Sequence, residues 1–251
     1  RSCLSRSSFK LLDKSPHAYW LSSWMNTGYE APPVDKKALY EKRFGRAIHT
    51  LIFEPDEFMK RFDIVPGAMA PRGYPAIGRV DYEMMNQMAR IVRSMEDAND
   101  LLSDGYGEVT LVWPCSVTGQ LIRARHDYFK TWATVDYKTV HQLNDFAIRK
   151  AINSFGYDLQ DALYLEGRVA VKQLLKEGKA GVWGCDNNEF IYRFMNDPDD
   201  MFSFIFQEKE WPYPVLPLHF DRMSTQEAVD RLGTLESRDV QAGVRHMVAR
   251  Q

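Results

Sequence analysis

Residues 121–140 read LIRARHDYFKTWATVDYKTV and predict two strands that present two carboxylates and a lysine. The first strand is predicted to end on Asp127, and the second carries Asp136 and Lys138. Side chains two residues apart leave the same face of a strand, so Asp136 and Lys138 should lie together. Two converging carboxylates repel each other unless a divalent cation lies between them, and a nearby ammonium group could orient or deprotonate a water molecule. The stretch therefore predicts the site of a metal-dependent phosphodiesterase.

An acid-x-Lys tripeptide is a weak signal by itself, because the chain contains three of them. Asp35-Lys36-Lys37 is predicted to open a helix, and Glu177-Gly178-Lys179 lies in a turn. Only Asp136-Tyr137-Lys138 lies in a β-type run with an upstream acid on a neighbouring strand. The alternative interpretation is a solvated strand face with a cross-strand ion pair, which is a common feature of sheets.

Length and composition indicate one substantial core. The chain has 251 residues and is 45% hydrophobic, which is compatible with one large domain. We expect a single domain over 1–251, with an N-terminal helical segment at about 5–62, a core at about 80–210 and a C-terminal helix at about 224–251. No apolar run approaches the length of a membrane span, so we expect no association with a membrane.

Charge and cysteine content restrict the function classes. A net charge of −2 counts mildly against a nucleic-acid coat protein, although an enzyme needs only a local basic surface to bind nucleic acid. Cys3, Cys115 and Cys185 cannot supply the four thiolates of an iron–sulfur cluster and do not suggest a disulfide framework. The chain starts at Arg1, which suggests a fragment or a processed chain. The next residues lack the apolar centre of a signal peptide, so we expect a cytoplasmic location.

Hydrophobic periodicity and capping residues predict helices, then strands, then helices, two strands and a final helix. Pro66 to Gly78 is predicted to be an irregular loop. The predicted strands are Glu108–Trp113, Leu121–Asp127, Ala133–Thr139, Phe190–Met195 and Phe202–Glu208. The predicted helices are a short one from Ser7 or Ser8 to Leu12, one starting at Ser15-Pro16, Asp35 to about Glu54, a short one after Pro55, Asp81–Leu102, Asn144–Asn153, Asp158 to about Lys176, and one starting at Ser224. This order predicts an α/β protein of the α+β type, with a mixed sheet flanked by helices.

Several segments together resemble a known nuclease family. Asp127, Asp136-Tyr137-Lys138 and the downstream segment 156–164, GYDLQDALY, resemble the restriction-endonuclease-like core of the PD-(D/E)xK nucleases. More narrowly, they resemble the exonuclease VIII branch, the phage-type recombination exonucleases, in which the acid-x-Lys strand is followed by a helix with Gln and, four residues later, Tyr. Gln160 and Tyr164 have this spacing, which places them on one helix face.

Two upstream segments extend the resemblance. Residues 44–55, FGRAIHTLIFEP, resemble the family's helix whose histidine reaches the metal site, and residues 8–19, SFKLLDKSPHAY, resemble its N-terminal segment. The similarity covers roughly residues 5–175 in consistent order. The family's usual pair at the first acid is Pro-Asp, whereas this chain has His126-Asp127. The proline supplies no ligand, so the chemistry need not suffer.

The resemblance implies a metal site with four ligands. Asp127 and Asp136 would be carboxylate ligands for Mg²⁺, which Mn²⁺ should be able to replace. His49 and Glu108 would complete the set. The alternatives are a hairpin surface pair for the aspartates, a packed helix residue for His49 and an exposed strand start for Glu108. The remaining histidines lack zinc-ligand spacing.

The resemblance also implies roles for three further residues. Lys138 would position or activate the attacking water and help neutralise the scissile phosphate, or would form an ordinary salt bridge with either aspartate. Gln160 and Tyr164 would hold the substrate strand or the catalytic lysine. The chain has no G-x-S-x-G motif and no Gly-rich loop after a strand, which counts against serine hydrolysis and ATP-driven functions.

The function implied by the resemblance is a Mg²⁺-dependent exodeoxyribonuclease for phage-type recombination or repair. It would degrade linear double-stranded DNA from its ends, 5′→3′, leaving a 3′-hydroxyl and a 5′-phosphate, in the cytoplasm of a host cell if phage-encoded. Its partner would be a single-strand annealing recombinase, and relatives form rings around DNA. Two alternatives remain: a catalytically silent DNA-end-binding or scaffold protein on the same fold, and a repair or adaptation endonuclease.

Overall fold

The computed structural model describes residues 3–23, 25–28, 30, 33, 35–66, 75–220 and 227–235. The first half of the chain is mainly helical. It contains α1 (Arg6–Lys14), α2 (Pro16–Ser22), α3 (Lys36–Phe53), α4 (Phe58–Arg61), β1 (Asp63–Val65), β2 (Ala76–Gly78), α5 (Arg79–Ser94) and α6 (Glu96–Leu101). A short 3₁₀ turn, Pro55–Glu57, links α3 to α4.

The second half supplies the main sheet and the helices on one of its faces. It contains β3 (Gly105–Pro114), β4 (Leu121–Lys130), β5 (Ala133–Val140), α7 (Asp145–Phe155), α8 (Tyr157–Lys176), β6 (Val182–Trp183), α9 (Asn188–Asn196), β7 (Met201–Glu208) and β8 (Val215–Leu218). Residues 227–235 are helical. The six strands are ordered β6-β3-β4-β5-β7-β8, with β5 and β7 parallel and the other pairs antiparallel. The predicted mixed sheet flanked by helices is confirmed.

Local sequence signals explain where the helices begin. The Ser15 side chain accepts a hydrogen bond from the Ala18 amide at 3.0 Å, and Pro16 occupies the first turn of α2. Asp35 and Asn144 cap α3 and α7 in the same way. Gly156, with φ +65°, ends α7 in the left-handed conformation that glycine adopts without steric cost, and α8 starts at the next residue.

The sheet is buried on both faces, which places the middle of β4 and β5 deep in the molecule. One core lies under α8, α9 and α1 and includes Leu111, Ala124 and Phe204. The other lies under α3 and α5 and includes Val135 and Tyr137. Polar side chains in the middle of this sheet must therefore find partners within the protein.

Three predicted elements differ from the structure. Phe190–Met195 is not a strand but part of α9, because Asn187 caps the segment and Phe190 and Phe194, one helical turn apart, are both buried. The helix predicted over Asp81–Leu102 breaks at Met95, whose backbone is extended, and continues as α6. Part of the predicted loop from Pro66 to Gly78 is the strand β2, which pairs in parallel with β1.

Other boundaries shift or lie outside the described residues. Strand β4 continues past Asp127 to Lys130, α1 starts at Arg6 after Ser5, and β6 and β8 were not predicted. Residues 224–226 and 236–251 of the predicted C-terminal helix lie outside the described part. No helix within the described ranges is long and apolar enough to cross a bilayer.

Candidate active site

At Glu108, the side chains of β3 switch from one face of the sheet to the other. Tyr106 packs on Phe190, and Val109 lies in the same core, although side chains three residues apart in a regular strand point to opposite faces. Glu108 has φ +61°, a left-handed conformation that is uncommon for residues other than glycine. This local irregularity keeps Glu108 out of the core under α8 and places its carboxylate near His49 and Asp127.

Strand β4 makes the same change opposite Glu108. His126 and Phe129 both pack on the α8–α9 side, whereas Tyr128 belongs to the core under α3. The register nevertheless continues, with Val109 opposite His126 and Gly107 opposite Tyr128. Asp127 therefore stands across from Glu108, and the two carboxylates leave neighbouring strands at one point.

Strands β4 and β5 separate just beyond this point. Within the described residues they pair only at Tyr128–Val135 and Phe129–Thr134. Asp127 and Asp136 follow on either side of the opening, and the Tyr137 amide donates to Asp127 Oδ2 at 3.4 Å. The separation of the strands gives the two carboxylates room in an otherwise packed sheet.

His49, Glu108 and Asp127 form a group that could hold a metal ion. One ligand atom from each lies within 4.8 Å of the others, and His49 Nδ1 is 3.2 Å from Asp127 Oδ2. All three side chains are partly accessible. Two carboxylates and one imidazole are a suitable donor set for a divalent cation of the Mg²⁺ or Mn²⁺ type. The residues present thus fit the metal that the sequence predicts, although they do not identify it.

Asp136, the fourth predicted ligand, lies beside this group and has other partners. It is buried, forms an ion pair with Lys138 and accepts a hydrogen bond from Gln160 Nε2. The predicted proximity of Asp136 and Lys138 on one strand face is thus present in the structure. A role of Asp136 as a ligand remains a prediction.

The two aspartates differ in their tendency to ionise. Burial opposes ionisation of Asp127, but the positive charges of His49 and Lys138 outweigh burial and lower its pKa. Burial and the neighbouring Asp127 charge raise the pKa of Asp136, and Lys138 only partly compensates. The pair therefore combines one strongly acidic carboxylate with one that resists ionisation, as expected for two acids that share a site.

His49 reaches the site from α3. Its ring packs edge-on against Phe53 and Tyr137, with centroid distances of 5.7 and 5.6 Å. Burial alone would lower the pKa of His49, but the adjacent Asp127 carboxylate raises it overall. The imidazole is thus held by packing on two sides, with Nδ1 directed at Asp127.

Lys138 is suited to stabilise negative charge. Burial lowers the pKa of a lysine, but Asp136 and then Asp127 raise that of Lys138 above its ordinary value. The side chain therefore carries a proton at neutral pH and cannot accept one from water in this state. Its ammonium group also lies over the Tyr157 ring, 5.3 Å from the centroid.

Gln160 and Tyr164 lie on one face of α8 but contact different strands. Gln160 is buried and fixes Asp136 on β5. The Tyr164 hydroxyl donates to the Arg125 carbonyl of β4 at 2.8 Å, and its ring packs on His126 with a centroid distance of 4.7 Å. In the structure, both residues position the strands that carry the aspartates.

His126 occupies the place of the family's proline and links β4 to β5. Its Nδ1 lies 2.8 Å from the Thr134 hydroxyl, and the residue is fully buried. Burial, followed by the Arg168 charge, holds its pKa well below the ordinary histidine value. A neutral His126 thus adds a side-chain bridge beside Asp127.

Two arginines at this site were not predicted from the sequence. Arg125 is largely exposed and forms an ion pair with Glu108. The only sequence signal for a role of Arg125 was its position two residues before Asp127.

Arg168 is fully buried between Phe129 and Phe194. It donates to the carbonyls of Lys130, Thr131 and Ala133 in the β4–β5 turn. Asp200 balances its charge at 2.7 Å. Arg168 fixes the turn from which both aspartates extend.

A helix-flanked mixed sheet, with two acids and a lysine where its central strands separate, defines a protein of the PD-(D/E)xK nuclease superfamily. More particularly, the chain belongs to the family described as PDDEXK-like domain of unknown function (DUF3799), whose profile matches residues 5–179.

The fold is shared with a solved structure. It is the crystal structure of a "Putative exonuclease" from Eubacterium rectale, which matches with a TM-score of 0.62 and 17% sequence identity over 96% of this chain and 81% of that chain. The comparison with curated proteins gave no match. The superfamily predicted from residues 121–164 is confirmed, whereas the exonuclease VIII branch is not specifically supported.

Proposed function

We propose that the protein is a divalent-metal-dependent nuclease that hydrolyses phosphodiester bonds in DNA and acts at the ends of linear duplexes. The observation that carries this proposal is the group of His49, Glu108 and Asp127, whose ligand atoms lie within 4.8 Å of one another beside the Asp136–Lys138 pair. A metal-ligand group next to a protonated lysine suits the cleavage of an anionic ester.

His49, Glu108 and Asp127 would hold the cation, with Asp136 at the border of the group. When bound, such a cation supplies Lewis-acid polarisation of a phosphate oxygen and activation of water. Lys138 would place its positive charge where negative charge develops on the phosphate. Gln160 donates a hydrogen bond to Asp136 and thereby fixes the orientation of the carboxylate that pairs with Lys138.

The finer features of the proposal rest on the motif resemblance. These are Mg²⁺ as the physiological ion, 5′→3′ degradation of double-stranded DNA and a role in phage-type recombination. The same resemblance supports a single-strand annealing recombinase as partner and a ring-shaped homo-oligomer. The fold shared with the Eubacterium rectale protein is compatible with these features but does not discriminate between exonuclease and endonuclease.

The test is incubation of end-labelled linear duplex and of closed circular duplex, with Mg²⁺, with Mn²⁺ and with a chelator. The proposal predicts metal-dependent loss of linear DNA from its ends and resistance of the circle. Linearisation of a supercoiled plasmid would assign the protein to the endonucleases. Binding of ends without cleavage in either metal would indicate a catalytically silent protein.

The controls for this assay are two neutralising substitutions. Asp127→Asn should abolish cleavage because it removes a charged ligand of the proposed site. Asp63→Asn changes an exposed aspartate of β1 in the same way and should leave cleavage unchanged. Equal activity of both variants would remove the proposed site from the reaction.

A further inference from the structure

The sheet has an open face next to the metal-ligand group. Trp183 on β6 is in register with Thr110 on β3, and Thr110 is in register with Arg125 on β4. Residues in register on antiparallel strands project from the same face. Trp183 is 50% exposed and the Arg125 side chain is 67% exposed, so this row of side chains faces solvent.

Arg123 extends the same face by one row. It is exposed and in register with Val112 on β3. The alternate residues of β4, Ile122 and Ala124, are buried in the core under α8, which directs Arg123 and Arg125 to the opposite side of the sheet. That side thus carries two arginines and an accessible tryptophan.

Helix α3 covers only the neighbouring part of this face. A Cβ atom added at Gly107 would lie 2.9 Å from Glu54 Cγ and 3.3 Å from the Phe53 carbonyl oxygen, so the end of α3 lies against that residue. Beyond Glu108 the exposed rows of Arg125 and Arg123 begin. The open face therefore starts where α3 ends, one helical turn after His49, which contributes to the metal-ligand group.

Two contacts join the open face to the metal-ligand group. Arg125 forms an ion pair with Glu108. Gly184, the residue after Trp183, lies against the Glu108 backbone, since a Cβ added there would be 3.3 Å from the Glu108 carbonyl oxygen. A chain molecule lying across this face would therefore reach the acids directly.

We propose that this face, formed by Arg123, Arg125 and Trp183, binds an unpaired DNA strand next to the cleavage site, an inference that rests on the proposed function. The arginines would contact backbone phosphates, and the Trp183 indole would stack on one base. Positive side chains combined with an accessible aromatic ring are the usual means of binding single strands without sequence preference.

Charge and shape favour a single strand over a duplex. Within a duplex both faces of a base are covered by its neighbours, so a side chain can stack on successive bases only where the strands are separated, as in a frayed or single-stranded end. Exposed arginines complement backbone phosphates in a protein whose overall charge is −2. An indole beside two arginines therefore fits a separated strand.

The test is binding of a labelled poly-dT oligonucleotide and of a blunt duplex in chelator, so that no cleavage occurs. Fluorescence anisotropy gives the affinity, and quenching of tryptophan emission reports stacking. The variants are Trp183→Ala and Arg123→Gln. Their matched controls are Trp211→Ala, which removes another exposed tryptophan, and Arg90→Gln, which removes an exposed arginine of α5.

The proposal predicts that Trp183→Ala weakens single-strand binding roughly 5- to 150-fold, as the loss of one base–aromatic stack implies, and removes most of the quenching. Arg123→Gln should reduce the slope of log affinity against log salt by about 0.7, the value for one phosphate contact on a single strand. The controls should bind as the wild type does, and Trp183→Phe should retain most of the affinity.

Unchanged affinity and quenching in Trp183→Ala, or tighter binding of the blunt duplex than of the single strand, would overturn the proposal. Because these titrations contain no metal, their outcome is independent of catalysis. A protein that binds single strands through Trp183 but never cleaves DNA would refute the proposed function and support this inference. An active nuclease whose Trp183→Ala variant binds single strands as the wild type does would support the proposed function and refute this inference.

Discussion

Asp127 and Asp136 lie on opposite sides of the point where β4 and β5 separate, and the pKa values of their carboxyl groups shift in opposite directions. Asp127 is held ionised by His49 and Lys138, whereas burial and the charge of Asp127 disfavour ionisation of Asp136. Ionised Asp127 can attract a cation. A cation that neutralises Asp127 would also favour ionisation of Asp136. Substitutions of the two aspartates should therefore differ in their effects on metal binding and on stability.

Asp136→Asn should abolish cleavage without loss of stability in the metal-free protein. A raised carboxyl pKa means that the folded state binds the proton more tightly than the unfolded state. Ionised Asp136 therefore costs stability once pH exceeds its unfolded pKa. The amide removes this cost and can keep a hydrogen bond with Gln160, and the charge of Asp127 remains to balance Lys138. A melting curve at neutral pH in chelator should show an unchanged or raised Tm, and a markedly lower Tm would contradict the electrostatic account.

Lys138→Ala should reduce turnover far more than DNA affinity. The protonated lysine acts on charge that develops during the reaction, whereas DNA binding is spread over many contacts. We expect kcat to fall by about 10²–10³-fold, the usual effect of removing one such stabilising group. Lys60→Ala, at an exposed lysine of α4, is the matched control. Equal losses in kcat and in affinity would make Lys138 a phosphate anchor instead.

His49→Ala should raise the metal concentration needed for half-maximal rate. Loss of a ligand or of a residue that orients one typically costs about 10–100-fold in metal affinity. His141→Ala, at an exposed histidine after β5, should leave the metal titration unchanged. If His49 contributes only packing against Phe53 and Tyr137, the variant should melt earlier yet titrate like the wild type.

Arg168→Met should destabilise the protein strongly. The substitution removes the donors to the carbonyls of the β4–β5 turn and leaves Lys172, at 2.9 Å, as the remaining ion-pair partner of Asp200. Leaving a buried acceptor without its donor costs about 1–3 kcal/mol in the free energy of unfolding, and several carbonyls are affected here. Urea denaturation measures this loss, with Arg90→Met on the exposed face of α5 as the control. A change as small as that of the control would show that the turn does not depend on Arg168.

The predictable part of the fold follows from local signals. Capping residues such as Ser15 and Asn144, together with hydrophobic periodicity, located most helices. The strands around Asp136 followed from β-branched residues and flanking turns. The sequence of α9 also predicts a strand, because its aromatic residues suit both structures and its burial depends on contacts with residues distant in the chain.

Only the site residues that belong to recognisable sequence motifs could be predicted. The proximity of Asp136 and Lys138 follows from strand alternation, and the resemblance named His49, Glu108 and Asp127 as neighbours. The positive φ of Glu108 and the matching change in β4 could not be read from the sequence, because no glycine marks the position. Arg168 was missed because its partners are backbone carbonyls far along the chain.

The proposed function requires that His49, Glu108 and Asp127 together hold a divalent cation. The most direct measurement is Mn²⁺ binding, followed by electron paramagnetic resonance, to the wild type, Asp127→Asn and Glu108→Gln, with Asp63→Asn as the control. We predict that both site variants lose about 10-fold or more in Mn²⁺ affinity while the control binds as the wild type does. Equal Mn²⁺ affinity in all four proteins would contradict the claim.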